Sequence, residues 1–210
     1  HFAKQYNIPY LLSAHGTLPV IIERQLPKWI FDGLVGRKIL QHAAGFHAVS
    51  EVEVEQYRQF GLPSEKVHLV YNGLDLAAFE KLPEPGAYRR RHNLPPGAKL
   101  VLHLGRIHKI KELDLIIRAF ARFVNEEKRA ILVIAGPDAG EQGKLEALVR
   151  SLGLDEHVRF PGGVYGSEKL ALLQDADLVV SMGVYEIFGL VPFEAALCGT
   201  PSLVSDDCGA

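Results

Sequence analysis

Two glutamates that flank a predicted strand-to-helix turn, Glu186 and Glu194, have the types and spacing to do chemistry. They stand eight residues apart, with Gly189 between them. If a helix begins near Gly189, its free N–H groups and its dipole favour an anion. A carboxylate beside that anion can accept hydrogen bonds from a pair of sugar hydroxyls. The turn therefore predicts an anion site next to a carboxylate; compensation of the helix dipole is the alternative interpretation.

A second group of candidate residues follows the apolar run 100–104. Gly105 allows a tight turn, and Arg106 and Lys111 add two cations suited to a diphosphate. Ordinary surface charge is the alternative interpretation of both cations. Ligands of an open parallel sheet bind beyond the carboxyl ends of its strands. We therefore expect both groups of residues to lie at the same edge of one sheet.

The elements that must position these residues alternate between strand and helix from residue 99 onward. Apolar residues at helical spacing mark each helix, and the strands are near-continuous apolar runs, as buried parallel strands are. The predicted strands are 99–104, 130–135, 158–160, 177–182 and 202–205. This alternation predicts a doubly wound α/β domain with right-handed crossovers.

The first part of the chain repeats the alternation with shorter elements. We predict strands at 9–13, 46–50 and 66–71 and a helix around 27–42. Ser50 followed by Glu53 is typical of a capping box at the start of a further helix, which Gly61 ends. The Pro- and Gly-rich segment 76–98 predicts a connection between domains, with the arginine run 89–91 as a solvated face.

Composition excludes several classes of protein. The chain has 210 residues, 48% of them hydrophobic, and a formal net charge of −2. No basic field exists to bind nucleic acid, and no apolar run approaches the ~20 residues of a membrane-spanning helix. Cys198 and Cys208 form no metal-ligand pattern and are expected to be a reduced pair. The chain begins at a residue other than Met and stops after a predicted strand, so we expect a fragment of a longer protein.

Several segments, in order, carry a resemblance to a known family. Residues 186–201, Glu-Ile-Phe-Gly-Leu-Val-Pro-Phe-Glu-Ala-Ala-Leu-Cys-Gly-Thr-Pro, resemble the signature of the retaining glycosyltransferases called family 4. Further segments resemble those of the same family: Ala14-His15-Gly16, Val49-Ser50, Asn72-Gly73-Leu74-Asp75, Gly105-Arg106 with Lys111, and Val158-Arg159-Phe160-Pro161-Gly162. The resemblance implies a GT-B fold, which has two Rossmann-like domains.

The resemblance also implies roles for individual residues. Arg106 and Lys111 would hold the donor diphosphate and stabilise the leaving nucleotide, Glu186 would contact the transferred sugar, and His15 would reach that sugar from the other domain. The residues implied to bind the donor are Gly105, Arg159, Gly162, Phe188, Gly189, Leu190 and Glu194, with Glu194 on the ribose and 159–162 lining the base pocket. This chain departs from the family at Glu112, where the family has glycine, which puts a negative charge beside Lys111.

The domain organisation follows from the same resemblance. Residues 1–75 would be the C-terminal part of an N-terminal, acceptor-side domain. Residues 76–98 would be a linker, and 99–210 a nucleotide-sugar-binding domain truncated at its C-terminus.

The implied activity is transfer of a sugar from a nucleotide diphosphate donor to a saccharide or lipid-linked acceptor, with retention of configuration, as in hexosyltransferases. The resemblance implies no metal or other cofactor and a cytoplasmic location, including the inner face of the membrane. The helix near Trp29 is expected to pack in the core; peripheral docking on a membrane surface is the alternative. Two other functions stay open: a noncatalytic nucleotide-sugar-binding module, and a dinucleotide-dependent oxidoreductase, although no Gly-x-Gly-x-x-Gly stretch is present.

Overall fold

The protein divides into two compact units, His1–Gly73 and Leu74–Cys208. A computed structural model describes residues 2–18, 31 and 35–206. Each unit is an α/β structure built on a parallel sheet, so the predicted fold class is confirmed. None of the helices formed by the described residues combines the length and the apolar character that crossing a membrane requires.

The first unit contains a three-stranded parallel sheet in the order β1-β2-β3, with β1 Leu11–Ser13, β2 Gly45–Ala48 and β3 Val67–Leu69. The helices among its described residues are α1 Phe2–Gln5, α2 Arg37–His42 and α3 Glu51–Gln59, and the 3-10 turn Ser64–Lys66 precedes β3. Phe46 and Tyr57 pack together at the centre of this unit. The helix predicted around 27–42 is described only in its last part, and Trp29 lies outside the described residues.

The second unit contains a five-stranded parallel sheet in the order β6-β5-β4-β7-β8. Its strands are β4 Leu100–Leu104, β5 Ile131–Ala135, β6 Val158–Gly162, β7 Leu178–Ser181 and β8 Ser202–Val204. Its helices are α4 Ala87–Arg91, α5 Leu113–Glu126, α6 Gln142–Ser151, α7 Gly166–Asp175 and α8 Leu190–Leu197, with 3-10 turns at Leu76–Phe79 and Lys109–Lys111. All the predicted strands agree with the structure to within two residues at each end.

Helices cover both faces of the second sheet, as the near-continuous apolar strands predict. Helices α5 and α6 pack on one face, and α4, α7 and α8 pack on the other. Every residue of β5 is buried. The buried side of α5 follows the helical period, at Leu113, Ile116, Ile117, Phe120 and Val124. Fully burying a side chain of this size contributes ~1.5–3 kcal/mol, so this one helix contributes a large part of the core.

The segment 76–98, which we expected to connect two domains, lies in the second unit. Its helix α4 was not predicted, because proline and glycine flank it closely. Tyr88 and Leu94 are buried in the core on the α4 side of the sheet. Arg89 also differs from the solvated face that we expected: its guanidinium donates to the carbonyl oxygens of Ala98 and Asp175 and pairs with Asp177 at 2.8 Å. Arg89 thus joins α4 to the end of α7.

Glu112, where the family has glycine, has a left-handed backbone with φ 49° and ψ 41°. It is the N-cap of α5, and its carbonyl oxygen accepts hydrogen bonds from the N–H groups of Leu115 and Ile116. Glycine adopts this conformation without a steric cost, whereas other residues are strained in it. Glutamate at this position therefore strains the backbone, and it also places a negative charge directly after Lys111.

Replacing Glu112 by glycine is expected to raise the free energy of unfolding by about 1 kcal/mol, because the strain outweighs the extra chain entropy of glycine. Thermal denaturation should show an increase in Tm of ~2–4 °C. The matched variant Glu112→Ala removes the same carboxylate but keeps a Cβ at a left-handed position. Equal stabilisation by both variants would show that charge, and not backbone strain, is what glycine relieves.

Candidate functional site

The strand order of the second sheet reverses between β4 and β7. The chain runs from β4 outward to β5 and β6, then returns to β7 beside β4 and continues outward to β8. A crevice opens at such a switch point, beyond the carboxyl ends of the two central strands, and ligands of doubly wound sheets bind there. Both groups of chemically promising residues follow these two strands, as the sequence predicts.

The loop after β4 is fixed by the turn that follows β5. The Gly105 N–H donates to the carbonyl oxygen of Ala135 at 2.9 Å, and the Ile107 N–H donates to that of Pro137 at 2.9 Å. A Cβ on Gly136 would lie 1.8 Å from the Gly105 carbonyl oxygen, so only glycine allows this approach. Ile107 is fully buried, whereas Arg106 is exposed beside it. The loop is therefore held in place while the guanidinium stays accessible.

The loops after β4 and β7 contact each other. The Val184 N–H donates to the Ile110 carbonyl oxygen at 3.2 Å, and Gly183 packs against the same oxygen. This contact brings the side chains of Lys111 and Glu186 together as an ion pair between Nζ and Oε2. The two side chains are only 14% and 21% exposed. The structure thus joins two of the predicted catalytic residues, and an incoming phosphate would compete with Glu186 for the ammonium group.

Helix α8 begins directly after the second loop. Gly189 is its N-cap and has no side chain to accept hydrogen bonds from the first turn. The rings of Phe188 and Phe193 stack across this start, with centroids 5.6 Å apart and planes at 15°. An N-terminus of this kind favours an anion through its N–H groups and dipole. Gly189 and Leu190 therefore lie at the start of a helix, where the sequence predicts one to begin.

Glu194 lies in the second turn of α8, and its Oε1 accepts a hydrogen bond from Lys169 Nζ at 2.9 Å. Both side chains are more than two-thirds buried. Sequence reasoning missed Lys169, which lies in the first turn of α7. A lysine there is unfavourable with respect to the helix dipole, and that position is the one feature that could have indicated a partner.

Arg159 and Gly162 lie on β6, two strands away from β4. Neighbouring strands are ~4.8 Å apart, so β6 runs about 10 Å to the side of β4. Gly162 ends β6 at its carboxyl edge, whereas Arg159 lies near its amino end. Arg159 is exposed, and Gly162 has φ 79°. Its carbonyl oxygen accepts a hydrogen bond from the Gly136 N–H at 2.8 Å. The structure therefore connects Gly162 to the Gly105 turn, and leaves Arg159 apart from the ion pair.

His103 is buried in β4 just before these loops. Its Nδ1 bonds to the carbonyl oxygen of Val180 at 3.1 Å, and its Nε2 has no hydrogen-bond partner. The pKa of the imidazole is lowered to about 4, mainly by burial and to a smaller extent by the Lys111 charge, although the hydrogen bond to the Val180 carbonyl favours the charged form. His103 is therefore neutral at pH 7.

His15 belongs to the first unit, where it follows β1. Its backbone is left-handed, with φ 45°, and its ring meets that of His47 edge to face at 6.2 Å.

Cys198 is a buried free thiol, and Cys208 lies outside the described residues. Across residues 2–18, 31 and 35–206, no three His, Cys, Asp or Glu side chains cluster closely enough to hold a metal ion.

This chain resembles several solved structures, some of them described as glycosyltransferases. Sucrose-phosphate synthase from Thermosynechococcus elongatus superposes with a TM-score of 0.80 at 27% identity, over 99% of this chain and 53% of that one. HepE from Anabaena, solved in complex with UDP-glucose, superposes with a TM-score of 0.83 at 24% identity, over 99% of this chain and 56% of that one.

The sequence comparisons agree with the structural ones. A D-inositol 3-phosphate glycosyltransferase from Kineococcus radiotolerans is 35% identical over 95% of this chain and 49% of that protein. The chain spans about half the length of such relatives. The family model "Glycosyltransferase Family 4" matches residues 1–78, and the model "Glycosyl transferases group 1" matches residues 86–210. This chain therefore belongs to the glycosyl transferases group 1 family.

Proposed function

We propose that the protein carrying this chain transfers a sugar from a nucleotide diphosphate donor to an acceptor, with retention of configuration at the transferred carbon. The observation that carries the proposal is the meeting of Lys111, Glu186 and the start of α8 at the β4/β7 switch point. A cation and an open helix N-terminus suit a diphosphate, and carboxylates suit sugar hydroxyls. Few other ligands present all of these groups within one molecule.

In this proposal the donor lies across the carboxyl edge of the second sheet. Arg106 and Lys111 neutralise the diphosphate as the sugar–oxygen bond breaks, helped by the N–H groups of Gly189 and Leu190. These groups take the part that a metal ion takes in other transferases, so no metal cofactor belongs to the proposal. Glu186 contacts the transferred sugar once the phosphate has displaced it from Lys111.

The remaining donor contacts extend along the same edge of the sheet. Glu194 binds the ribose hydroxyls through the oxygen that Lys169 leaves free. The stretch Arg159–Gly162 of β6 lines the base pocket, and Phe188 and Gly105 complete the walls. His15 acts on the sugar from the first unit.

The acceptor is proposed to be a saccharide or a lipid-linked saccharide, with the reaction in the cytoplasm or at the inner face of the membrane. Because a matching relative is a D-inositol 3-phosphate glycosyltransferase, that cyclitol phosphate is the first soluble acceptor to test. Because HepE was solved with UDP-glucose, UDP is the first nucleotide to test.

Calorimetric titration of this chain with UDP, GDP, ADP and their glucose conjugates tests the donor site. We expect one nucleotide to bind selectively, and Glu194→Ala to weaken it ~10–100-fold, because a hydrogen bond to a charged group contributes about 1.5–3 kcal/mol. Glu126→Ala is the matched control: it removes an exposed glutamate from the last turn of α5 and should leave the affinity unchanged. Equal affinity in the wild type and the Glu194 variant would remove Glu194 from the site.

A further inference from the structure

The turn that carries His15 has an unusual backbone. His15 and Gly16 are successive left-handed residues, with φ 45° and 75°. A histidine in this conformation is strained, and such strain persists only where the surroundings over-determine it. Something in the first unit must therefore hold the turn.

The side chains that hold the turn come from α3. Glu53 Oε1 accepts a hydrogen bond from the Gly16 N–H at 2.8 Å. The Tyr57 hydroxyl accepts one from the Ala14 N–H at 3.0 Å and donates to the carbonyl oxygen of His47 at 3.0 Å. Both side chains are completely buried. The backbone is thus held on each side of His15 by groups that cannot move away.

The arrangement of Glu53 differs from the capping box that the sequence predicts. The Ser50 hydroxyl does accept a hydrogen bond from the Glu53 N–H. The Glu53 carboxylate, however, reaches past the N-cap to the Val49 N–H at 2.9 Å and to the Gly16 N–H of another segment. A capping box needs only a bond from the carboxylate back to the N–H of the N-cap residue. Burying a carboxylate costs free energy, so the hydrogen bonds of Glu53 to two separate segments indicate a role beyond helix capping.

We propose that Glu53 and Tyr57 are positioning residues for His15. They fix the peptide groups on either side of it, and so set the direction in which the imidazole leaves the β1 edge. The inference rests on the proposed function, in which His15 acts on the transferred sugar. Neither residue is among those proposed to hold the nucleotide, which all belong to the second unit.

The test is a double-mutant cycle in the whole protein, with UDP-glucose, or the nucleotide sugar selected by titration, as donor. Glu53→Gln places an amide donor against a backbone N–H, and Tyr57→Phe removes the hydroxyl with little change in shape. We expect each to lower kcat ~10–100-fold with the KM for the donor unchanged, as displaced supporting groups do. In the His15→Ala background, both substitutions should cause no further loss, because they act through His15.

Ser50→Ala is the matched control, because it removes the side-chain cap of the same helix while both hydrogen bonds of the Glu53 carboxylate stay available. It should keep normal kcat at a temperature where all variants are folded by circular dichroism. If Glu53→Gln fails to fold, the cycle of Tyr57→Phe with His15→Ala tests the inference by itself. Two results would overturn the inference and leave the proposed function intact. One is a further loss of kcat when Glu53→Gln or Tyr57→Phe is added to His15→Ala. The other is a normal kcat in both variants while His15→Ala is impaired. Normal kcat in His15→Ala would overturn the role of His15 and the inference with it, while nucleotide binding would still report on the donor site.

Discussion

Replacing Lys111 by methionine is expected to lower the turnover of the whole protein ~10²–10³-fold, which corresponds to about 3–4 kcal/mol in the transition state. The ammonium group lies at the β4/β7 switch point in a largely buried position, where its charge is weakly screened. Methionine keeps the apolar stem of the side chain and removes the ammonium group, with its charge and its N–H donors. Transfer rates at saturating donor, measured by release of the nucleotide, provide the comparison.

Lys109→Met is the control for this prediction, since Lys109 is an exposed cation in the same 3-10 turn. It changes the net charge equally but lies away from the ion pair, so turnover should change less than threefold. Arg106→Ala tests the other proposed cation in the same assay, and a loss is expected there too. If Lys111→Met and Lys109→Met behave alike, then Lys111 pairs with Glu186 for stability only, and the leaving group is stabilised elsewhere.

The scaffold of this site could be predicted from sequence because its elements are strongly patterned. The apolar runs of β4, β5 and β7 and the period of α5 have few alternatives as buried structure. Helix α4 was missed for the opposite reason: it is five residues long between prolines and glycines, and its stability comes from Tyr88 in the core and from Arg89. Local sequence carries no information about such tertiary contacts.

The placement of the candidate residues at one edge of the sheet was also predictable, but their charge pairing was not. The rule that ligands bind beyond strand ends selected the loops after β4 and β7 without knowledge of the strand order. The partners within the site are set by packing: Lys111 and Glu186 are 75 residues apart in sequence, and Lys169 and Glu194 are 25 apart. Each pairing depends on which helix and which loop lie next to each other.

Backbone conformation accounts for the other differences. The resemblance indicated that Glu112 departs from the family, and charge was the concern that the sequence suggested. The structure adds a left-handed φ at that residue. Similarly, Ser50 and Glu53 fit a helix cap in sequence, whereas the Glu53 carboxylate bonds to the distant Gly16. In both cases the sequence identified the position, but the left-handed backbone of Glu112 and the bond from Gly16 to Glu53 are seen only in the folded chain.

His103 is expected to make the second unit sensitive to acid. The imidazole has an ordinary pKa of 6.5 when the chain is unfolded and a pKa of about 4 when it is buried in β4. Above pH 6.5 both states are neutral and the residue contributes no pH dependence. As the pH falls from 6.5 to 4, the unfolded state takes up a proton that the folded state does not, so stability is lost progressively, by about 3 kcal/mol in total.

Substituting His103 by leucine removes this titration. Although leucine forfeits the hydrogen bond to the Val180 carbonyl, it also removes an Nε2 that is buried without a partner, so stability at pH 7 should change by ~1 kcal/mol or less. Denaturant unfolding at pH 7 and pH 4.5 measures the effect: the wild type should lose about 2–3 kcal/mol more than His103→Leu between the two pH values. Subtracting one protein's loss from the other's cancels the carboxylates that both share. Parallel losses would mean that the unfolded and folded states bind protons equally at this histidine, and that water reaches its ring from the site beside Lys111.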